Sequence, residues 1–340
     1  MIGELGTAKL RTGETLVMKL VTAPAAEYAE KLVHFLEHKA GDSRRSIVQR
    51  LRGDYAAFCC DKYFIGEIDG RIAGQIWYGY ATTGTGIANF GHVYTEPDHR
   101  KKGITEELMK VFLDDFSKSP VRAALCGTGT PWVASIYFKY GFQAVRENAT
   151  SGMLILLNKD CGGNFNEFEA EYFRPGQEIV TLPGTMEHRH DVDEMLKGAL
   201  DIRGMQAKRL SVSTAINSYQ SAYFMAEDGQ GVLSVAKATG GSVVGWSFCL
   251  NPASRWEGDA KVFDFEIHPN YVNMTERFVR ESLGLFKDKG VTRAYAYQPA
   301  VEKSKIAVLG KAGFQEAARL SGYCAFDNAA SDLVILSAAL

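Results

Sequence analysis

The sequence has no long hydrophobic run and no cluster of cysteines. Its apolar stretches, such as Met153–Leu157, are far shorter than the roughly 20 residues that a membrane-spanning helix needs. The six cysteines are scattered without C-x-x-C spacing, which predicts reduced, mostly buried thiols and no zinc site. The first residues show no apolar segment of the kind that a secretory signal has. We therefore expect a cytoplasmic protein without a metal site or a membrane contact.

The sequence also lacks an excess of charge of either sign. Lys and Arg number 38 and Asp and Glu number 40, so the formal net charge is −2. A protein that binds nucleic acid over its whole surface is usually distinctly basic, so no nucleic-acid partner is expected. With 46% hydrophobic and 23% charged residues, the composition is typical of a globular protein and excludes the disordered and fibrous classes. A length of 340 residues favours two domains.

Short sequence matches recur along the chain at a nearly constant offset. Five of them occur in the same order, and four of the five share an offset of 170 to 172 residues. They pair 21–24 with 180–183, 70–74 with 241–245, Pro97 with Pro269, 141–143 with 313–315, and 151–152 with 321–322. The matches predict two copies of one unit, a first copy over 15–158 and a second copy over 178–327.

The domain boundaries follow from these copies. One domain is predicted over 1–158 and another over 178–340. The segment 159–177 between them contains Gly-Gly, Pro-Gly and an acidic run with no clear periodicity. It is predicted to be a linker, with its aromatic side chains attached to the surface of a domain.

The first copy alternates predicted strands and helices in an order typical of an α+β fold. The strands are expected at 16–22, 55–68, 71–81, 87–95, 121–126, 142–147 and 152–158, and the helices at 24–39, 42–52, 104–117 and 131–140. This order predicts a mixed, mostly antiparallel sheet flanked by helices in each of the two domains.

The segment 90–116 (FGHVYTEPDHRKKGITEELMKVFLDDF) indicates a site for a polyphosphate. An apolar strand ends at Pro97, and the basic loop 100–105 then begins an amphipathic helix. The free backbone N–H groups at a helix N-terminus favour anions, and Gly103 lets the backbone approach closely. Three consecutive cations add charge-assisted hydrogen bonds. An ordinary basic helix start has the same composition and is the alternative. The loop is neither a Walker loop nor a G-x-G-x-x-G fingerprint.

This segment resembles the acyl-CoA signature of the GNAT family of N-acyltransferases, a strand followed by P-x-x-R-x-x-G-x-G/A and a helix. Thr105 stands where the family usually has Gly or Ala. The helix in PWVASIYFKYGFQAV (131–145) is similar to the second signature of the family. That match places Tyr137 at the residue that protonates the departing CoA thiolate in many members. The asparagine usually found seven residues earlier is Thr130 here.

The resemblance implies an acyl-CoA-dependent N-acyltransferase built from two tandem GNAT-like domains. The co-substrate would be acetyl-CoA or another short acyl-CoA, and the acceptor a small-molecule amine or a protein amine. The expected reaction is a direct attack of the amine on the thioester, with Tyr137 as acid and a backbone N–H around Tyr94–Thr95 as oxyanion donor. The residues expected to bind acyl-CoA are Tyr94, Thr95, Arg100, Lys101, Lys102, Gly103, Ile104 and Thr105.

The general base is less evident. Many members of the family carry a Glu early in this strand, but the position holds Asn89, which cannot accept a proton at neutral pH. His92 could serve through a water molecule, and the alternative is a hydrogen-bonded strand histidine without a catalytic role. These departures leave a second function open, a non-catalytic module that binds or senses acyl-CoA.

The second copy keeps the pattern of strands and helices but loses the residues of the signature. At an offset of 172, Arg100 becomes Val272, Gly103 becomes Thr275 and Tyr137 becomes Leu309. A β-branched residue at the glycine position would crowd a pyrophosphate, and leucine cannot donate a proton. The second domain is therefore expected to be degenerate, and to form part of the acceptor site or to cover the sheet of the first.

Two histidine clusters have spacings that could be read as metal sites. Residues 34–38 (HFLEH) match the H-x-x-E-H spacing of some zinc peptidases, but no third ligand is evident. We expect these side chains on a solvated helix face. His188 and His190 are likewise expected on an exposed helix start, so no metal site is predicted.

Overall fold

The chain folds into two compact units, residues 1–171 (the first unit) and 172–340 (the second unit). The computed structural model describes residues 1–84, 86–161, 163–202, 218–252, 260–326 and 329–340. Each unit contains one mixed, mostly antiparallel sheet with helices, so the predicted α+β fold class is confirmed. Among the described residues, no helix is both long enough and apolar enough to cross a membrane.

The first unit is built on an eight-stranded sheet. Its strands are β1 (Ile2–Lys9), β2 (Thr15–Thr22), β3 (Cys59–Ile68), β4 (Arg71–Ala81), β5 (Ile87–Thr95), β6 (Ala123–Thr128), β7 (Gln143–Ala144) and β8 (Gly152–Leu157). They are arranged in the order β1-β2-β3-β4-β5-β6-β8-β7. Neighbouring strands run antiparallel, except that β5 and β6 are parallel. The single parallel pair lies in the middle of the sheet, next to the candidate active site.

Helices cover both faces of this sheet. They are α1 (Ala29–Phe35), α2 (Gly41–Arg52), α3 (Ile104–Lys118), α4 (Pro131–Phe138) and α5 (Phe165–Tyr172). The buried side chains of α3, such as Leu108 and Phe112, pack with those of α4 in one apolar core. Those of α1 and α2, such as Leu32 and Leu51, form a second core with Trp77 of β4. Burial of these apolar stripes holds the helices to the sheet.

The second unit contains a seven-stranded sheet with an equivalent strand order. Its strands are β9 (Ile179–Pro183), β10 (Gly231–Ala238), β11 (Val243–Leu250), β12 (Lys261–Ile267), β13 (Arg293–Pro299), β14 (Gln315–Phe326) and β15 (Ala329–Ala339), and its helices are α6 (Lys197–Ile202), α7 (Tyr219–Glu227), α8 (Thr275–Asp288) and α9 (Lys303–Lys311). The spatial order β9-β10-β11-β12-β13-β15-β14 corresponds, strand by strand, to β2-β3-β4-β5-β6-β8-β7 of the first unit. The parallel pair, β12 and β13, again lies inside the sheet.

Several predicted bounds differ from the structure for local reasons. Strands 71–81 and 87–95 are as predicted. The strand expected from residue 55 begins only at Cys59, because the Cys59 N–H closes a turn onto the Tyr55 carbonyl at 2.8 Å. The helix expected over 24–39 is a short 3-10 turn followed by α1. The predicted strand at 142–147 is reduced to β7, and β1 was not predicted.

Two further segments are more ordered or more buried than predicted. The predicted linker contains helix α5, and the aromatic side chains in and after it are buried: Phe165, Phe168, Tyr172 and Phe173. The expectation that His188 and His190 are exposed was wrong, since 4% and 2% of these residues are accessible. The His188 Nδ1 atom accepts a hydrogen bond from the Thr185 N–H at 3.1 Å, so this ring caps a turn.

Candidate active site

Strands β5 and β6 separate soon after they pair, and this leaves a gap within the sheet. Only three residue pairs join them, from Ile87–Ala123 to Asn89–Leu125. Among the described residues, 90–95 of β5 have no strand partner on the β6 side. A Cβ atom added to Gly127 in β6 would meet nothing within 4 Å. We term this space, between 90–95 and 126–128, the β5–β6 gap. An extended ligand could insert there and hydrogen-bond to the backbone of either strand.

Helix α3 begins close to the end of β5 with a backbone arranged for an anion. Its N-cap is Gly103, with φ +101°, and no side chain caps the helix. The first bond of the helix joins the Glu107 N–H to the Gly103 carbonyl at 3.1 Å. The N–H groups of the residues before Glu107 therefore have no partner within the helix. Lys101 also has a positive φ, +64°, so the loop turns sharply just before the helix. An unfilled N-cap with a left-handed glycine suits a phosphate group.

The three cations of the loop have different environments. Arg100 is exposed, and its Nε donates to the Thr95 carbonyl at 3.2 Å. Lys101 is exposed as well. Lys102 is different, because its Nζ lies 2.6 Å from Oε1 of Glu14 in the turn between β1 and β2. Lys102 thus ties the loop to the β1–β2 turn, which leaves Arg100 and Lys101 as the cations directed to solvent.

The β1–β2 turn supplies two residues that the sequence did not single out. The Arg11 N–H donates to the Lys102 carbonyl at 3.2 Å, and the Arg11 guanidinium pairs with Glu106 at 2.7 Å. A Cβ atom at Gly103 would lie 3.8 Å from the Arg11 Nε. Arg11 therefore lies beside the N-terminus of α3. No local pattern marks Arg11 or Glu14, since both lie about 90 residues from the loop in sequence.

Ile104 and Thr105 anchor the helix rather than face the loop. Ile104 is 1% exposed, and a Cβ atom at Gly74 of β4 would lie 2.5 Å from its Cγ2 atom. Gly74 therefore provides the space that Ile104 fills. The Thr105 hydroxyl lies 3.0 Å from the Thr95 hydroxyl, so a side-chain hydrogen bond joins α3 to the end of β5. This bond gives a structural reason for threonine where similar sequences carry Gly or Ala.

Strand β5 contains a bulge at the start of the gap. Gln75 of β4 pairs with Tyr94, and Trp77 pairs with Gly91, so His92 and Val93 together face Ile76 alone. His92 has φ +50°, which is unusual for a residue with a side chain. Its carbonyl accepts a hydrogen bond from the Gln75 Nε2 at 2.5 Å. A bulge of this kind bends the strand and re-aims the backbone groups that follow it.

His92 is partly buried in a cationic neighbourhood. Its ring lies 5.1 Å from that of Trp77. Burial, with smaller contributions from the nearby Arg50, Lys39 and His38, lowers the pKa of His92 to about 3. The imidazole is therefore neutral at physiological pH, and the protonated form that a base must adopt is disfavoured. The structure thus places His92 at the bulge but makes it a weak proton acceptor.

Tyr137 lies on α4, on the side of β5 that faces α3. It is 8% exposed, and its ring packs 5.6 Å from Phe90 of β5 and 5.5 Å from Phe142. Burial raises the pKa of the phenol, and Cys126 contributes to the shift. Among the described residues, no hydrogen bond to its hydroxyl is formed. Tyr137 therefore keeps its proton at neutral pH, as a proton donor must.

Tyr94 and its neighbours line the opposite face of β5. The Tyr94 ring lies 5.2 Å from Phe35 of α1 and 4.4 Å from His38, which follows that helix. His38 and His34 are exposed, and no cluster of three or more metal-ligating side chains occurs in the described part of the chain. Tyr94 and Tyr137 thus lie on different faces, and the gap passes between them.

The corresponding gap of the second unit is bridged by charged and polar side chains. Only two residue pairs join β12 to β13. Beyond them, Asp264 accepts hydrogen bonds from Gln298 of β13 at 3.3 Å and from Lys305 of α9 at 2.8 Å. Lys305 also binds Glu266 at 3.1 Å.

Strand pairing and turn contacts align these bridging residues with uncharged positions of the first unit. Asp264 aligns with Gly91, Gln298 with Thr128 and Lys305 with Val133, so this bridge has no counterpart in the first unit.

The loop of the second unit also differs. Thr275 stands at the position of Gly103 and is 4% exposed, and its hydroxyl donates to the Val272 carbonyl at 2.7 Å. The next residue, Glu276, pairs with Arg280 at 2.9 Å and with Lys311 at 3.3 Å. Leu309, at the position of Tyr137, is fully buried. Glu276 aligns with Ile104, directly after the position of Gly103, and a carboxylate so close to the helix N-terminus would repel a phosphate group there.

Several solved structures resemble about half of this chain. An acetyltransferase of the GNAT family from Streptococcus pneumoniae is 10% identical, and the match covers 48% of this chain and 100% of that one, with a TM-score of 0.40. The ribosomal-protein-S5-alanine acetyltransferase from Vibrio fischeri is 14% identical over 48% of this chain and 94% of its own, with a TM-score of 0.36. The spermidine N-acetyltransferase from Vibrio cholerae, solved with CoA and spermine, is 9% identical over 47% and 95%, with a TM-score of 0.38.

Sequence comparison assigns a family to part of the first unit. None of the curated protein sequences matches the chain significantly. Residues 28–136 match the family model described as the acetyltransferase (GNAT) family. The matched residues run from the start of α1 to α4 and include the bulge, the β5–β6 gap and the Gly103 loop. The first unit therefore contains a domain of the GNAT acetyltransferase family.

Proposed function

We propose that the first unit is an acyl-CoA-dependent N-acyltransferase that transfers an acetyl or other short acyl group to an amine. The observation that carries this proposal is the combination of the β5–β6 gap with the uncapped N-terminus of α3 at the same end of the sheet. An acyl-CoA has an extended pantetheine arm with amide groups and a pyrophosphate. The arm suits a gap between two strand edges, and the pyrophosphate suits the helix N-terminus and the cations Arg100 and Lys101.

The proposed reaction requires three functions from the protein. The amine nitrogen attacks the thioester carbon, and the carbonyl oxygen becomes an oxyanion that the backbone amides around Tyr94–Thr95 would bind. The nitrogen loses a proton, and the carbon–sulfur bond then breaks. Tyr137 would give its proton to the departing thiolate and recover one from solvent. The base stays a prediction: His92 would act through water, and its low pKa makes it a weak base.

The second unit is proposed to be a degenerate copy that does not bind acyl-CoA. Its equivalent strand order supports a tandem repeat, and the Asp264–Lys305 bridge and Glu276 oppose a bound acyl-CoA. The domain limits 1–158 and 178–340, the linker at 159–177 and the cytoplasmic location remain predictions.

A second candidate function is a non-catalytic acyl-CoA-binding module. The absence of a strong base favours it, since Asn89 cannot accept a proton and the pKa of His92 is low. Measurement of CoA release separates the two functions. The full chain is incubated with acetyl-CoA and a panel that includes polyamines, amino acids and peptides with a free N-terminus. Release of CoA that depends on one amine supports the enzyme. Saturable acetyl-CoA binding without release on any amine supports the binding module instead.

A further inference from the structure

The bulge of β5 decides which backbone groups face the β5–β6 gap. Successive N–H groups of a strand point to opposite edges, so a shift of one residue exchanges the groups that face β4 with those that face the gap. The additional residue at His92–Val93 makes that shift, and regular pairing resumes at Tyr94. The amides around Tyr94–Thr95 therefore depend on the bulge for their direction.

One side chain holds the bulge from the neighbouring strand. Gln75 is fully buried, and its Nε2 donates to the carbonyl of His92, the residue with positive φ. The donor must be the nitrogen, because a carbonyl accepts hydrogen bonds only. Among the described residues, the Gln75 Oε1 atom has no hydrogen-bond partner. The hydrogen bond to the bulge is therefore the one that this side-chain amide forms in the described part of the chain.

The second unit provides a comparison within the same chain. There Gly245 aligns with Gly74, and Trp246 occupies the position of Gln75. Trp246 pairs with Glu266, and the pairing from Gly245–Ile267 to Leu250–Val262 continues without a shift. Strand β12, which pairs with the strand of Trp246, thus has no bulge there, whereas strand β5, which pairs with the strand of Gln75, has one. The second unit also lacks the glycine loop and the tyrosine.

We infer that Gln75 is a positioning residue: its amide holds the β5 bulge and so directs the backbone amides around Tyr94–Thr95 toward the acyl carbonyl. The inference rests on the proposed function for its catalytic part and on the hydrogen bond to His92 for its structural part. Gln75 touches neither the acyl group nor the thiol in this role. It acts through the backbone of β5.

The test compares Gln75→Leu with the wild-type chain in kinetics and in a crystal structure. Leucine fills a similar volume but cannot donate to the His92 carbonyl. We expect kcat to fall by about 10- to 100-fold, within the range found when an oxyanion donor is lost or misplaced, with little change in the KM for acetyl-CoA or in Tm. Tyr63→Phe is the matched control. It removes another buried polar group from the same face of the sheet, one strand away, and should leave kcat unchanged.

A conservative variant adds a pH-dependent readout. In Gln75→Glu the carboxyl can donate to the His92 carbonyl only when it is protonated, and burial favours the protonated form. The ratio of its kcat to that of the wild type should therefore rise as the pH is lowered from 8 to 6. A purely structural role for Gln75 predicts a constant ratio.

The crystal structures decide the inference even if no amine is acetylated. Loss of the bulge in Gln75→Leu, with the φ of His92 returned to negative values, supports the role of Gln75 although the proposed function has failed. A Gln75→Leu structure that keeps the bulge overturns the inference whatever the activity of the wild type. If the wild type is active, full turnover by Gln75→Leu overturns it as well. Parallel losses of kcat and Tm in both Gln75→Leu and Tyr63→Phe would also overturn it, since they would indicate general loss of packing.

Discussion

At the scale of single residues, the two predicted catalytic side chains differ in how well their surroundings suit their roles. Tyr137 lies among aromatic rings, and burial raises its pKa, so its hydroxyl is protonated at neutral pH. Because this raised pKa lies above the pKa of a thiol, transfer of the proton to the thiolate must be coupled to cleavage of the carbon–sulfur bond. His92 has a lowered pKa and is therefore a poor acceptor. The surroundings therefore support Tyr137 as the acid but do not support His92 as the base.

Replacement of Tyr137 by Phe tests the acid. The ring remains, so its packing on Phe90 and Phe142 should survive. The lost hydroxyl acts mainly in the transition state, so we expect kcat and kcat/KM to fall together by about 10²- to 10⁴-fold, with acetyl-CoA affinity almost unchanged. Tyr140→Phe on the same segment is the control. Full turnover by Tyr137→Phe would mean that water protonates the thiolate and that Tyr137 is only part of the core.

The pKa of His92 also predicts how stability depends on pH. The folded-state pKa of about 3 lies below the unfolded value of about 6.5, so between these pH values the unfolded chain binds more protons. Stability is then lost as the pH falls through this window. From pH 7 to pH 5, His92 should account for a loss of about 2 kcal/mol in the free energy of unfolding.

Urea denaturation at pH 7, 6 and 5 measures this loss. His92→Gln should show a smaller decrease than the wild type by about that amount, whereas His34→Gln, at an exposed position, should behave as the wild type does. Equal decreases in all three proteins would show that His92 is not held neutral in the folded state.

At the scale of elements, the loop before α3 is the unit that should hold the pyrophosphate. Gly103→Glu places a side chain and a negative charge at the left-handed N-cap, so acetyl-CoA binding should be abolished. Gly70→Glu is a matched control. Gly70 also has positive φ, +74°, and open space at its Cβ position, but it lies in the β3–β4 hairpin. Calorimetric titration of both variants measures the effect. Affinity of the Gly103 variant within about threefold of the wild type, or less than about 0.7 kcal/mol, would exclude this loop.

Elements with a strong local signal could be predicted from the sequence, and those that depend on distant partners could not. Strands β4 and β5, the start of α3 and the glycine N-cap follow from alternation, turn residues and helix-start chemistry. The bulge at His92 could not be predicted, because it exists only relative to Gln75 on another strand. The ion pair between Lys102 and Glu14 joins residues far apart in sequence. Gln75 itself belongs to no motif.

At the scale of the whole molecule, the two sheets have equivalent strand orders but differ in the side chains that surround the gap beyond their parallel strand pair. In the first unit the gap contains Gly127 with free space around it, and the helix begins at a glycine. In the second unit, Lys305 and Asp264 bridge the gap, and burial of Glu266 raises the pKa of that carboxyl. Buried charges of this kind are costly to separate, because each would lose its partner in a low-dielectric site. Entry of a ligand into the second gap would require that separation.

The number of acyl-CoA molecules bound per chain tests this difference directly. We expect one acetyl-CoA per wild-type chain in a calorimetric titration, because within the described ranges only the first unit combines an open gap with a helix that begins at a left-handed glycine. The Gly103→Glu chain should then show no binding, since the second unit cannot replace the lost site. Lys305→Met serves as the reciprocal variant: it disturbs only the second unit, so the stoichiometry should stay at one and the affinity should be unchanged. Two molecules per wild-type chain, or one molecule still bound by Gly103→Glu and lost in Lys305→Met, would place an acyl-CoA site in the second unit and contradict its proposed degeneracy.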